Sequence, residues 1–137
     1  MKYLPLLFLL TILFIAPATQ GSAQYFQFPS VIDAERAAGR QLYAEHCAAC
    51  HSLQAGVNTL GPSLIGVVGR PAGSLPGFPY SDALKKSGLV WTEDNLRKWI
   101  ANSPAMVPGT LMPHVSVSDP AEQIYIVAYL KTLKRRN

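Results

Sequence analysis

The sequence predicts an all-α domain of about four to five short helices with a loop-rich middle. Apolar residues at helical spacing follow capping residues at several points along the chain. Between Ser52 and Tyr80, six glycines and four prolines interrupt the chain too often for a long helix or a central strand. No segment alternates apolar and polar residues as a half-buried strand would, and no internal repeat is visible. We therefore expect helices at both ends of the domain, and between them loops that enclose an internal volume.

Residues 1–23 are predicted to be a cleavable secretory signal. A short basic start precedes the apolar run from Leu4 to Ile15, and Gly21-Ser22-Ala23 is a small-residue cleavage site. The apolar run is shorter than the roughly 20 residues that cross a bilayer as a helix. Cleavage after Ala18 and retention of the leader as a membrane anchor stay open as alternatives. We expect cleavage after Ala23, which leaves residues 24–137 as a single domain.

The first predicted helix begins at Ser30 or Asp33 and leads into the segment from Cys47 to His51. Asp33 and Glu35 suit its first turn, because carboxylates stabilise the positive end of a helix dipole. This helix is expected to position the segment that follows it.

Two short helices are predicted after the loops. Ser81 can cap a helix over 82–87, and Thr92 can cap one over 93–102, which Ser103-Pro104 ends. The apolar residues of the second helix share one face: Leu96, Trp99 and Ile100. Such a face is typical of a helix that packs on a core.

The last helix has the clearest start signal. Asp119 to Glu122 form a capping box with proline at the first helical position. Apolar residues follow on one broad side: Ile124, Val127, Ala128 and Leu130. Basic residues crowd the end of the chain: Lys131, Lys134, Arg135 and Arg136. They either complement the helix dipole or form a docking patch.

Charge and length limit the possible functions. The formal net charge is +4, and removal of the leader with its one base leaves 11 − 8 = +3. This weak excess does not support nucleic-acid binding. The mature chain of 137 − 23 = 114 residues buries only a modest core by itself. A buried prosthetic group would supply an apolar centre.

The segment Cys47-Ala48-Ala49-Cys50-His51 carries the chemistry. On a helix the cysteines lie at i and i+3 and the histidine at i+4, so all three side chains project from one face. This CxxCH spacing is the one at which haem c is attached, with two thioethers to the ring and an imidazole on the iron. We therefore expect one covalent haem c on Cys47 and Cys50, with His51 as an iron ligand.

Three other interpretations of the cysteines are weaker. A thioredoxin-type dithiol usually opens a helix after a strand, and no βαβ pattern is visible. A zinc site needs four ligands, and this chain has two cysteines and two further histidines, His46 and His114. A structural disulfide would leave His51 unexplained.

The other side of the iron has four candidate ligands: Met106, Met112, His46 and His114. An electron carrier needs this side closed, because an open position admits dioxygen or peroxide. His46 would face solvent or point away from its ring. Met112 lies in a non-helical loop between Pro108 and Pro113, and these prolines limit its conformations before binding. We favour Met112.

Several motifs together resemble, in order, the mitochondrial-like class I cytochromes c and their bacterial periplasmic relatives. They are Gly39-x3-Tyr43-x3-Cys47-Ala48-Ala49-Cys50-His51, Gly61-Pro62-Ser63-Leu64, Gly69-Arg70, Pro76 to Asp82, Trp91, Pro108 to Met112 and Ala128 to Lys131. The resemblance covers nearly all of residues 35 to 134. It implies the cytochrome c fold around one haem.

The resemblance also implies roles for individual residues. Cys47 and Cys50 hold the haem, and His51 and Met112 are its axial ligands. Pro62 offers its carbonyl to the other ring nitrogen of His51.

Further roles follow from the same resemblance. Four residues surround the buried propionates: Arg70, Tyr80, Ser81 and Trp91. Thr110 forms a hydrogen bond near the methionine loop. Gly39 lets the last helix approach the first, and Tyr129 of the last helix packs against the first helix.

The chain departs from that family at four points. Trp99 stands where a tyrosine is common, so an indole N–H replaces the hydroxyl near the methionine sulfur. Leu84 replaces a common asparagine, which makes the pocket drier. His114 replaces a phenylalanine. It is either a surface residue, a contact to a partner protein or a pH-sensitive neighbour of the haem. Ser103 to Met112 contains no lysine, so docking to redox partners should depend less on salt.

We expect a soluble one-electron carrier, and not an enzyme, that is monomeric and periplasmic. Its partners would be respiratory-chain complexes or periplasmic dehydrogenases and oxidases, with transient docking to membrane complexes. The alternative is a haem protein whose labile methionine lets it act on peroxide or bind small ligands.

Overall fold

The computed structural model describes residues 30–113 and 116–134. Within them lie five α-helices: α1 (Val31–His46), α2 (Asp82–Lys86), α3 (Glu93–Ala101), α4 (Ser103–Met106) and α5 (Pro120–Thr132). These residues form no strand, only an isolated antiparallel bridge between Pro71 and Val90. The predicted all-α fold is confirmed. The predictions for the leader, His114, Arg135 and Arg136 fall outside the described residues.

The helices begin at the predicted caps. Each capping oxygen accepts a backbone N–H: Ser30 from Asp33, Ser81 from Leu84, Thr92 from Asn95 and Asp119 from Ala121. α2 and α3 each end one residue before the predicted ends at 87 and 102. Local sequence therefore sets these boundaries, since each cap satisfies a donor that the helix leaves unpaired.

The short helix α4 was not predicted. Ser103-Pro104 suggests the end of α3, yet a new helical turn begins there. The side-chain oxygen of Asn102 accepts the N–H of Ala105 at 3.1 Å, and a proline in the first turn costs no intrahelical bond. The pair therefore separates two helices instead of ending helical structure.

α1 and α5 pack closely at Gly39, as predicted. A Cβ at Gly39 would lie 1.9 Å from the carbonyl oxygen of Tyr125 and 2.8 Å from the Cβ of Tyr129. The rings of Tyr43 and Tyr129 lie 5.8 Å apart across the same contact. Ile126 is completely buried, whereas Ile124, expected on the apolar side, is 44% exposed.

The loop-rich middle is fixed by backbone hydrogen bonds to the second half of the chain. The N–H groups of Gly69 and Ala72 donate to the carbonyls of Trp91 and Leu89 at 2.9 and 2.8 Å, and that of Gly66 donates to Leu133. These bonds hold the middle around an internal cavity. None of the helices in residues 30–113 and 116–134 has the length and apolar character needed to span a bilayer.

Candidate functional site

A cavity of about 760 Å³ lies between the loops and α3 and α5. This volume falls within the roughly 300–1,000 Å³ of ligand and cofactor pockets. The apolar part of its wall includes Leu64, Val67, Leu84, Leu96, Ile126 and Leu130. Every site residue proposed from the sequence also lines it: Cys47, Cys50, His51, Pro62, Arg70, Tyr80, Ser81, Trp91, Trp99, Thr110 and Met112.

The segment that carries both cysteines follows α1 as a hydrogen-bonded turn. α1 ends at His46, and the N–H of His51 donates to the carbonyl of Cys47 at 2.9 Å. The hydroxyl of Tyr43 donates to the carbonyl of His51 at 2.5 Å. The helix and its tyrosine therefore hold the turn at the cavity wall.

The two thiols are unpaired and half-buried. Burial, with a smaller effect of Cys50, raises the pKa of Cys47 to about 11. A redox-active dithiol needs the opposite shift, because the thiolate is the reactive form. The described residues also contain no group of three or more His, Cys, Asp or Glu side chains placed to hold a metal ion.

His51 is held in one orientation. Its Nδ1 lies 2.8 Å from the carbonyl oxygen of Pro62, so Nδ1 carries the proton and Nε2 keeps its lone pair. A Cβ at Gly61 would lie 2.4 Å from Cε1 of the ring, which only glycine avoids. Burial lowers the pKa of His51, against a smaller opposite effect of the bond to Pro62. The neutral imidazole is the form that binds a metal.

Met112 is held by two hydrogen bonds. The indole N–H of Trp99 donates to its sulfur, with Nε1 and Sδ 2.9 Å apart. Its backbone N–H donates to the hydroxyl oxygen of Thr110 at 3.2 Å. Both Met112 and the other candidate, Met106, pack against the hydrophobic core, but of the two only Met112 lines the cavity.

The residues expected near the propionates have protein partners of their own. The guanidinium of Arg70 donates to the carbonyls of Ser63 and Ile65 at 3.1 and 3.2 Å. Ser81 caps α2, and the ring of Trp91 lies 5.0 Å from that of Trp99. Burial raises the pKa of Tyr80, partly offset by the charge of Arg70. Their placement around the cavity agrees with the sequence, whereas a propionate contact stays a prediction.

His46 contributes to the wall of the cavity, and its Nε2 lies 3.9 Å from a carboxylate oxygen of Glu122 in α5, a contact that was not predicted. This partner belongs to the opposite end of the chain, so the position of His46 could not be derived from its neighbours in sequence.

Two supporting residues were missed. The side-chain oxygen of Asn58 accepts the N–H of Ser63 at 3.0 Å, and the hydroxyl of Thr59 donates to the carbonyl of Cys50 at 2.5 Å. Both stand in a glycine-rich loop without periodicity, and a polar residue there is ordinarily solvated. The sequence offers no signal for their roles.

The residues present fit a flat apolar ring held by thioethers. Two unpaired thiols, an imidazole nitrogen and a thioether sulfur reach one largely apolar cavity. This donor set of two cysteines, one histidine and one methionine is that of haem c, with histidine and methionine on the iron.

Comparisons with known proteins agree with the geometry. The family described as "Cytochrome c" matches residues 36–134. The chain is 43% identical over 102 residues to "Cytochrome c" of Euglena viridis, covering 74% of this chain and 98% of that protein. It is 48% identical over 87 residues to "Cytochrome c2 iso-2" of Magnetospirillum fulvum, covering 64% and 91%. A solved structure of "cytochrome cH from Methylobacterium extorquens" shares 47% identity and a TM-score of 0.66, covering 71% of this chain and 97% of that one.

Proposed function

The chain belongs to the cytochrome c family, and on this premise we propose that it carries single electrons by means of one haem c that Cys47 and Cys50 hold covalently. His51 and Met112 are the proposed axial ligands of the iron. When bound, the haem supplies an iron centre that alternates between the ferrous and ferric states. The protein binds no substrate at the iron and is not an enzyme.

The observation that carries the proposal is the fixation of both candidate ligands at one cavity. The bond from His51 Nδ1 to Pro62 orients the imidazole, and the bond from Trp99 to the sulfur orients Met112. Ligand side chains that are already held in position move little when an electron is transferred, so the reorganisation energy is small. An apolar wall also makes the ferric charge costly, which favours a high reduction potential.

An absorption spectrum in both redox states tests the proposal. We expect a low-spin haem c spectrum and, in the ferric protein at neutral pH, a methionine-to-iron charge-transfer band. Mass spectrometry should find one haem added covalently and no free thiols. Met112→Leu should abolish the band, whereas Met106→Leu should retain it.

Other outcomes point to other functions. Absence of the band in the unmodified protein would favour a labile methionine and a role with peroxide or small ligands. A mature protein with two titratable thiols and no haem would favour the dithiol or the zinc interpretation instead.

We further propose that the chain is exported to the periplasm, cleaved after Ala23 and monomeric as residues 24–137. Its proposed partners are respiratory-chain complexes or periplasmic dehydrogenases and oxidases, which it meets transiently. N-terminal sequencing of the mature protein tests the processing. A start at Gln24 supports cleavage, and a start at Met1 would show a retained anchor.

A further inference from the structure

A second concave site lies between three helices and shares no lining residue with the cavity described above. This groove has a volume of about 420 Å³ and is lined by residues of α1, α3 and α5. Its apolar residues are Ile32, Ile124, Val127 and Ala128. Ile32 is 56% exposed and Ile124 is 44% exposed. Because both isoleucines stand in a concave site and remain in contact with water, an apolar group that covers them stabilises the protein.

The cations that line the groove already have partners. Each is paired with a carboxylate of the same chain: Arg36 with Asp33 at 3.7 Å, Arg97 with Asp94 at 3.1 Å, and Lys131 with Glu93 at 2.5 Å. An anionic ligand such as a phosphate would have to displace these carboxylates and would meet their negative charge. The groove therefore favours an uncharged, apolar occupant.

The chain itself contains an uncharged, apolar segment directly before α1. Residues 24–29, which precede the described residues, include three aromatic side chains and no charged one. We call residues 24–29 the aromatic arm. Pro29 disfavours the helical conformation for Phe28 and so favours an extended one. In an extended arm, Phe26 and Phe28 project to one side and Tyr25 to the other.

The aromatic arm is attached at one end of the groove. Ile32, which lines the groove, stands in the first turn of α1, two residues after Ser30. An extended chain spans about 3.3 Å per residue, so Phe28 lies within about 7 Å of Ser30 and Phe26 within about 13 Å. A tethered segment of this length has an effective concentration on the order of millimolar at its site. The arm therefore has an advantage over any free apolar ligand.

We propose that the aromatic arm docks in this groove, with the rings of Phe26 and Phe28 covering Ile32 and Ile124. The docked arm connects three helices, because α1, α3 and α5 all line the groove. It therefore adds apolar contacts that stabilise the packing of these helices. The proposal does not rest on the electron-carrier function.

Nuclear Overhauser effects in the purified mature protein, kept reduced, test the contact directly. We expect cross-peaks between the ring protons of Phe26 and Phe28 and the methyl groups of Ile32 and Ile124. The rings should also shift the methyl resonances of Ile124 upfield. Phe26→Ser combined with Phe28→Ser, which we call the arm variant, should remove this shift.

A double-mutant cycle measures the coupling between the arm and the groove by urea unfolding. The arm variant should raise the equilibrium constant of unfolding about tenfold, because two rings lose apolar contact. In a protein that also carries Ile124→Gln, the same change should raise this constant by less than about threefold, because the contact is already weakened. Glutamine suits a helix, so Ile124→Gln removes apolar surface without disturbing α5.

Two controls test the specificity of this coupling. Val57, in a loop outside the groove, is 42% exposed, and Val57→Gln should leave the effect of the arm variant unchanged. Tyr25→Ser alters the other side of an extended arm, and it should raise the equilibrium constant of unfolding by less than about twofold.

The proposal is overturned if the cross-peaks are absent, or if the arm variant has the same effect with and without Ile124→Gln. An effect of Tyr25→Ser as large as that of the arm variant would also overturn it. Cross-peaks that weaken on dilution would place the arm of a second copy of this chain in the groove, which contradicts docking within one chain. Cross-peaks that persist on dilution, together with the reduced effect in the Ile124→Gln protein, support it.

Discussion

At the scale of single residues, the indole of Trp99 has a specific effect on the sulfur of Met112. An N–H that donates to sulfur withdraws electron density from it, so Met112, as the proposed ligand, would be a weaker donor to ferric iron. Trp99→Phe should therefore lower the reduction potential by about 20–60 mV, the equivalent of one hydrogen bond of about 0.5–1.5 kcal/mol. Redox titration measures this shift.

The matched control for this change is Trp99→Tyr, which has nearly the volume of phenylalanine and keeps a donor. Its potential should lie closer to that of the unmodified protein. Equal potentials for the two variants would mean that lost packing, and not the lost N–H, causes the shift.

The hydroxyl of Tyr43 stabilises the turn that carries both cysteines. Tyr43→Phe leaves the partly buried carbonyl of His51 without this donor, at a cost of about 0.5–1.5 kcal/mol in the free energy of unfolding at pH 7. Urea unfolding of both proteins measures the difference. Tyr129→Phe, which leaves the hydroxyl of Tyr43 in place, should cost less.

The same residue predicts a dependence on pH. Burial is the largest cause that raises the pKa of Tyr43, to about 12, above its ordinary value of 10.0. The contribution of the neutral hydroxyl is therefore complete below pH 10 and is lost as the pH rises through about 12. The stability difference between the unmodified protein and Tyr43→Phe should shrink in this window. A constant difference would contradict the shift.

At the scale of helices, the contact between α1 and α5 depends on a missing side chain. An alanine in place of a helical glycine ordinarily stabilises by about 0.5–1 kcal/mol. Gly39→Ala should instead destabilise by at least about 2 kcal/mol, because its Cβ would lie 1.9 Å from the carbonyl oxygen of Tyr125. Thermal unfolding measures the loss, and Arg40→Ala, at an exposed neighbour on α1, should change little.

The sequence predicts the helices better than their surroundings. Ser30, Ser81, Thr92 and Asp119 cap the expected helices, because capping depends on residues three or fewer positions away. α4 also has a capping signal, which consists of Asn102 followed by Ser103 and Pro104. A proline directly after α3, however, ordinarily indicates that helical structure ends there. Local interactions can be derived from the order of residues.

Long-range contacts are harder to derive. The pairing of His46 with Glu122 and that of Trp99 with Met112 join positions far apart in sequence. The family resemblance predicts the second because the residues stand in known motif positions. The resemblance does not predict the pairing of His46 with Glu122. It also does not predict the hydrogen bonds of Asn58 and Thr59, because the conformation of their loop determines these partners.

At the scale of the whole molecule, the cavity makes folding dependent on its contents. A chain of this size has a small core, and much of that core lines the cavity of about 760 Å³. Residues 24–137 made without haem should keep helical far-UV circular dichroism but lose the near-UV signal of fixed tryptophans. The haem-loaded protein is the control. A full near-UV signal without haem would show that the loops fold unaided.

The packing of α1 on α5 also joins the two ends of the described chain. Every residue between His46 and Pro120 then belongs to one closed loop, and closing a loop costs entropy that grows with the logarithm of its length. The proposed ligands His51 and Met112 close almost the same loop from inside. Whichever closure forms first removes most of the entropy cost of the other, so iron ligation and helix pairing should form and break together.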